Sequence, residues 1–146
     1  MKEILEEEFN KIKEDLIAKH IELGMKASGN WVNSLEVEAT DTRARLYAAN
    51  YTQFLVNGRP PGKFPPIDMI KKWIYDKGIQ SELPVNTLAF LIARKISRLG
   101  TRYFQQGGTD LIDAVITPKR TQDILDRVGA EMTLQLIDKL ERQFAA

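Results

Sequence analysis

Acyl-transfer chemistry needs a nucleophile held beside a base, and the chain offers one histidine, His20, with Ser28, Ser34, Ser81 and Ser97 as its only serines. None of these serines stands in a Gly-x-Ser-x-Gly elbow. With no cysteine and no second histidine to share a metal, the lone imidazole reads as a ring in a core or an interface. Glu6, Glu7, Glu8 and Glu14 crowd the amino end and read as a solvated helix face, not as a carboxylate pair facing across a cleft. The stretch GRPPGK at residues 58–63 has the look of a phosphate loop. It lacks the Lys-Ser/Thr ending, and its prolines remove the amide donors that such a loop uses. The sequence therefore assigns no catalytic residue, no metal ligand and no cofactor, and the expectation is a protein that is not an enzyme.

Charge offers a second kind of chemistry. Arg94, Lys95, Arg98 and Arg102 recur at helical spacing and could touch a nucleic-acid backbone or an acidic partner surface. A formal net charge of +1 supplies no general attraction to nucleic acid, so the protein-interface or solvated-face reading stands first. Glu3, Glu6, Glu7, Glu8, Glu14 and Asp15 make the amino end acidic. Two faces of opposite sign suit head-to-tail association of identical subunits, although such runs are more often plain solvated surface.

The elements that must position these residues follow from composition and period. At 146 residues, with 43% hydrophobic and 28% charged side chains, the chain has the size of one domain and enough apolar content for a core. The absence of cysteine fits a reducing cytoplasm and excludes a disulfide framework. Neither an export signal nor a membrane span is expected, because residues 1–16 are acidic and no apolar run approaches about 18 residues.

Leu5, Phe9, Ile12, Leu16 and His20 predict an amphipathic helix over residues 3–23, ended by Gly24. Residues 31–39 and 42–49 alternate well enough to predict a two-stranded hairpin with one buried face. Residues 50–57 predict a helical turn or two, before four prolines and two glycines in residues 58–66 make a stiff, shaped loop. A helix over residues 67–77 is expected to carry Ile70, Trp73 and Ile74 inward. Asn86 is a candidate cap for the next, with Leu88, Leu91, Ile92 and Ile96 as its stripe and Gly100 as its end. Residues 109–116 fit a short helix or a strand. Thr117-Pro118 opens a long helix to about Phe144, whose Leu125, Val128, Met132, Leu136 and Leu140 predict packing on the core. The fold class is α+β: a small antiparallel, curved sheet packed against several helices, with long amphipathic first and last helices.

Three segments in order carry a resemblance: YTQFLVNGRPPGKFPPI at residues 51–67, IKKWIYDKGI at 70–79 and LAFLIARKISRLGTR at 88–102. Across roughly residues 30–116 the chain resembles the neck, head-tail joining and tail-completion proteins of tailed bacteriophages, including those of crAss-like phages. The resemblance implies a virion structural protein that forms a ring, homo-oligomeric and possible to template on its neighbours, through which the genome DNA passes without specific binding. It implies portal, neck or tail proteins as partners, no membrane, and residence in the host cytoplasm during assembly. It also implies that the proline loop is a subunit contact and that the hairpin lines or buttresses the ring. With the basic helix, the expected interface is Arg59, Pro60, Pro61, Lys63, Phe64, Arg94, Arg98 and Arg102. Phe64 can tuck into its own domain or anchor in a partner's pocket.

Overall fold

Apolar residues at three- and four-residue steps build the first element of the computed structural model, which describes residues 1–145. Helix α1 (Lys2–Glu22) buries Ile12, Leu16 and His20, with Leu5 and Phe9 half-buried nearer its start. It stops just before Gly24, whose φ of 70° is left-handed and costs a glycine nothing.

The expected strand over residues 31–39 is corrected in its first half. Asn30–Ser34 is a short helix, α2, entered through Gly29 at φ 85°, and the Ser34 hydroxyl donates back to the Trp31 carbonyl at 2.6 Å. That turn carries Trp31 into the core. Strand β1 (Glu36–Ala39) then pairs antiparallel with β2 (Ala44–Tyr47), Val37 opposite Leu46 and Ala39 opposite Ala44. These four are the half-buried positions, while Glu38, Arg45 and Tyr47 face water and the Tyr47 hydroxyl donates to Glu38 at 2.9 Å. Period two has here produced a one-sided sheet. A hairpin alone is marginal in water, and this one rests on α1.

The remaining helices divide between two hydrophobic clusters. In the first, Ile12, Leu16, Met25, Trp31, Leu35, Leu111 and Val115 are buried together, and Leu55 and Val56 of α3 (Thr52–Asn57) lean on them. The second joins α4 (Ile67–Lys77) to α5 (Val85–Leu99) through Ile70, Ile74, Ala89 and Ala93. Ala89 and Ala93, with no exposed surface, give α4 a smooth face to pack on. Leu91 and Trp73, expected inward, are instead exposed on the flanks. Helix α5 also starts one residue before Asn86, because Pro84 at φ −55° is already set for a helix entry and its carbonyl accepts from Leu88. After α6 (Arg102–Gln105), residues 109–116 form neither helix nor strand but successive turns that bury Leu111 and Val115. Pro118 disfavours a helical Thr117, so the chain cannot run straight on into the last helix.

Helix α7 (Pro118–Ala145) opens as expected, with the Thr117 hydroxyl accepting from the Arg120 N–H at 3.1 Å. Its packing differs from expectation, since none of its residues is buried. It runs antiparallel to α1, held by Arg120 to Asp15 at 2.7 Å and by Arg127 to Glu7 at 2.9 Å and to Glu8. Ile124, Arg127, Val128 and Glu131 form its half-buried face. Leu125, Met132, Leu136 and Leu140 lie about 100° round the helix and stay exposed. Continuing the same pairing, α7 passes the start of α1 after about residue 134 and projects for roughly 16 Å at 1.5 Å per residue.

Two titrating groups report on this packing. Burial, and then the charges of Lys77 and Lys26, lower the basicity of His20, which is 2% exposed. Hydrogen bonds from Arg127 and Lys11 hold the Glu7 carboxyl down at about 2. The folded chain thus keeps His20 neutral where the unfolded chain takes up a proton below about pH 6.5, so that part of the stability is full above this value and is lost as pH falls. The Glu7 part is full above about pH 4.5 and lost toward pH 2. Denaturant melts at pH 7.5 and 5.5 should show lower stability at the acid value, and His20→Phe should shrink that difference. Equal wild-type stability at the two pH values would rule out a neutral, buried His20.

Candidate interaction face and cleft

The proline loop owes its shape to two glycines that stand at its base. Gly58 (φ 76°, ψ 173°) and Gly100 (φ 78°, ψ 178°) occupy a backbone region open essentially to glycine alone. A methyl group on Gly58 would lie 2.1 Å from the Phe104 amide nitrogen, and one on Gly100 would meet the Arg59 carbonyl at 2.7 Å. Where the two segments touch, they are sewn together. The Thr101 N–H donates to the Arg59 carbonyl and the Arg59 N–H to the Thr101 hydroxyl, both at 2.9 Å. Farther along, the Gly62 N–H donates at 2.9 Å to the Ser97 carbonyl, one of the last four carbonyls of α5 that lack a partner within the helix. Thr109 bonds the Leu55 and Val56 carbonyls, each at 2.6 Å, and closes the seam on its other side.

This stitching lays the loop along the last turns of α5. Phe64 rests on Phe90 with ring centroids 5.7 Å apart, tucked onto its own domain yet 46% exposed. Arg94 shares a helix face with Phe90 and Ser97, the two residues that the loop touches. Arg59, Pro60, Pro61, Lys63, Phe64, Arg94, Arg98 and Arg102, expected from sequence as an interface, are therefore gathered around one region of the surface.

That region has an electrostatic property that their spacing alone did not reveal. Arg120, Arg127, Lys11, Lys19, Lys72, Lys119 and Arg142 all pair with carboxylates. Among the described residues, Arg59, Lys63, Arg94, Lys95, Arg98 and Arg102 have no such partner, a lack they share with cations elsewhere such as Lys2, Lys13, Arg43 and Lys71. What sets this region apart is the chain around it, for no Asp or Glu occurs anywhere in residues 42–67 or 83–109. Reading for runs without carboxylates, in addition to runs of cations, finds this face.

Between the two hydrophobic clusters lies a cleft of about 1060 Å³. Trp31, Tyr51, Phe54, Met69, Trp73 and Tyr103 supply its apolar walls, and Arg59, Lys77, Lys95 and Arg102 its charge, with no carboxylate in the lining. Lys77 crosses from one lobe to the other and donates to the Gly24 carbonyl. At the floor, His20 stacks on Trp31 with centroids 4.4 Å apart, and its Nδ1 is buried without a hydrogen-bond partner. No sequence motif marks this cleft because its walls come from all six helices α1 to α6. A cleft with apolar walls and positive charge is recognition chemistry, suited to an anionic or acidic amphipathic partner. Among the described residues no cluster of three or more His, Asp or Glu could hold a metal ion, and no helix is long and apolar enough to cross a membrane.

No protein-family model, no curated protein and no solved structure matches this chain. The face must be tested on its own geometry. Gly58→Ala sets a side chain against backbone in a glycine-only conformation, so it should cost at least about 2 kcal/mol in denaturant melts. Gly62→Ala, where a methyl meets open space, should cost less. Equal losses at the two positions would show that the close approach at Gly58 does not hold the loop.

Proposed function

We propose that this protein is a structural subunit of a tailed-phage virion, which assembles into a ring at the head-tail connector or tail end through which DNA passes. The observation that carries the reading is α7, a helix of 28 residues without one buried side chain. Leu125, Met132, Leu136, Leu140 and Phe144 are between 42% and 86% exposed along it. Full burial of such side chains contributes about 1.5–3 kcal/mol each, so covering this stripe offers on the order of 5–10 kcal/mol. Association costs of roughly 4–15 kcal/mol are of the same size, which suits subunits that join through several contacts, or on a template, rather than through one.

The carboxylate-free face and the rigid loop stitched to α5 support the same reading, as does the resemblance carried by residues 51–67, 70–79 and 88–102. In this proposal the loop meets a neighbouring subunit or a portal, neck or tail protein, the hairpin buttresses the ring, and genome DNA passes without sequence-specific contact. Neither a cofactor nor catalysis is invoked, and the subunit resides in the host cytoplasm until it enters the virion. Light scattering on a size-exclusion column at low and high concentration, with negative-stain images of each peak, should find closed rings. A monomer at every concentration would leave only assembly on a template and would shift weight to a second reading.

That second reading is a small nucleic-acid-binding regulator, and the six unpaired cations favour it. It requires binding that weakens with salt at a slope near −0.9 per phosphate neutralised on duplex DNA. Filter-binding titrations of the wild type should show no such dependence if the face serves protein contacts. A steep slope that Arg94→Ala and Arg98→Ala reduce would favour the regulator instead.

A further inference from the structure

We infer that the cleft between the two hydrophobic clusters is a docking groove for an acidic segment of another protein, one with large apolar side chains set among its carboxylates. The inference goes beyond ring assembly and rests on the cleft alone. The whole chain is close to neutral, with a formal net charge of +1, yet the cleft is lined by Arg59, Lys77, Lys95 and Arg102 and by no Asp or Glu. Lys77 donates to the Gly24 carbonyl, while Lys95 and Arg102 stand exposed. This excess of positive charge is local, and a partner that brings carboxylates complements it.

The shape suits a chain better than a compact molecule. A second depression of about 300 Å³ is lined by Phe54, Arg59, Pro60, Pro61 and Lys63. It shares Phe54 and Arg59 with the cleft, so the two run together as one groove, and it adds a further cation without a carboxylate. At about 1060 Å³ the cleft alone already exceeds the roughly 300–1,000 Å³ of small-molecule pockets. Wall chemistry then separates peptide from nucleic acid. Single strands bind by laying bases on aromatic faces beside cations. Here the stacked rings of His20 and Trp31 form the floor and are 2% and 3% exposed, which leaves them almost no face for a base. The accessible wall mixes Tyr51, Phe54 and Trp73 with the aliphatic Met69, Ile92 and Ile96. Such a surface offers sockets to Leu, Ile or Phe, and Met69, 69% exposed, has the flexibility to fit more than one shape.

A random-peptide library displayed on mRNA and selected on the immobilised full-length protein should enrich sequences in which Asp or Glu flank Phe, Leu or Trp. A tryptophan-free peptide from that selection should shift the protein's emission to the blue, because both of the chain's tryptophans line the cleft and Trp73 is 42% exposed. Met69→Glu and Lys95→Glu should each weaken its binding about tenfold or more. Arg43→Glu, the same change of charge made at the hairpin turn, should leave it nearly unchanged. All three positions are exposed, so folding is not at stake. A selection that enriches no acidic sequences, or equal losses in the three variants, would overturn the inference. Oligo(dT) that binds more tightly than the peptide and is lost with the same two cleft variants would give the groove to single-stranded nucleic acid. Self-association of the wild type that Met69→Glu abolishes would give it to a second copy. Either of these results would equally overturn the assignment to another protein.

Discussion

The stacking of Trp31 on His20 is the contact on which the larger half of the molecule depends. Trp31 ties its own short helix to two others. Its ring lies on the last buried residue of α1, its indole N–H donates to the Thr52 hydroxyl of α3 at 2.9 Å, and its carbonyl accepts from Ser34. Ser34 in turn accepts from the Ala49 N–H at 3.0 Å, which fixes the exit of β2. An indole can serve in this way because it buries a large apolar body while its one polar atom finds a partner. The unpartnered Nδ1 of His20 is the cost of the arrangement. A buried polar nitrogen without a bond is unfavourable, and it is tolerated where the ring remains neutral.

The second half of the molecule is joined to the first by backbone more than by side chains. The Gly58 and Gly100 seam and its hydrogen bonds tie α3 and the proline loop to α5 and α6, while the two hydrophobic clusters remain separate. Because the joint is a narrow seam and not a shared core, a wide cleft stays open beside it. The same separation sorts charge. Carboxylates crowd α1 and pair there with α7, whereas the segments around the seam contain none.

Period and punctuation carried most of the elements. The stripe of α1, the ends of α4, the Thr117 cap and the Gly100 stop are all local features, and local features are legible in a sequence. Alternation misled at residues 31–35, where a left-handed Gly29 and the Ser34 back-bond outweighed a pattern that strand and helix share over so short a run. Trp73 and Leu91 were misplaced for another reason: the packed face of α5 centres on the small Ala89 and Ala93, with the expected Leu88, Ile92 and Ile96 half-buried beside them and Leu91 turned outward. The loop and the basic helix were legible one by one. Their meeting was not, since it depends on two glycines 42 residues apart taking a shape that only the folded chain requires. For α7, an apolar stripe states that something must cover it, and it does not state whose surface does.

The projection of α7 has an energetic consequence of its own. About eleven residues of helix without tertiary contacts are close to the length at which isolated helices are marginal in water. Hydrogen bonds within the segment, and the Arg142 to Asp138 pair at 2.9 Å, are all that favours its helical state in a free subunit. Any surface that captures it must therefore also meet the entropy of ordering it, which lowers affinity for a given buried area. The benefit is kinetic. A joint that melts when it is not fully engaged can let go of a wrongly placed neighbour, so the same weakness that slows assembly gives it a means of correcting errors.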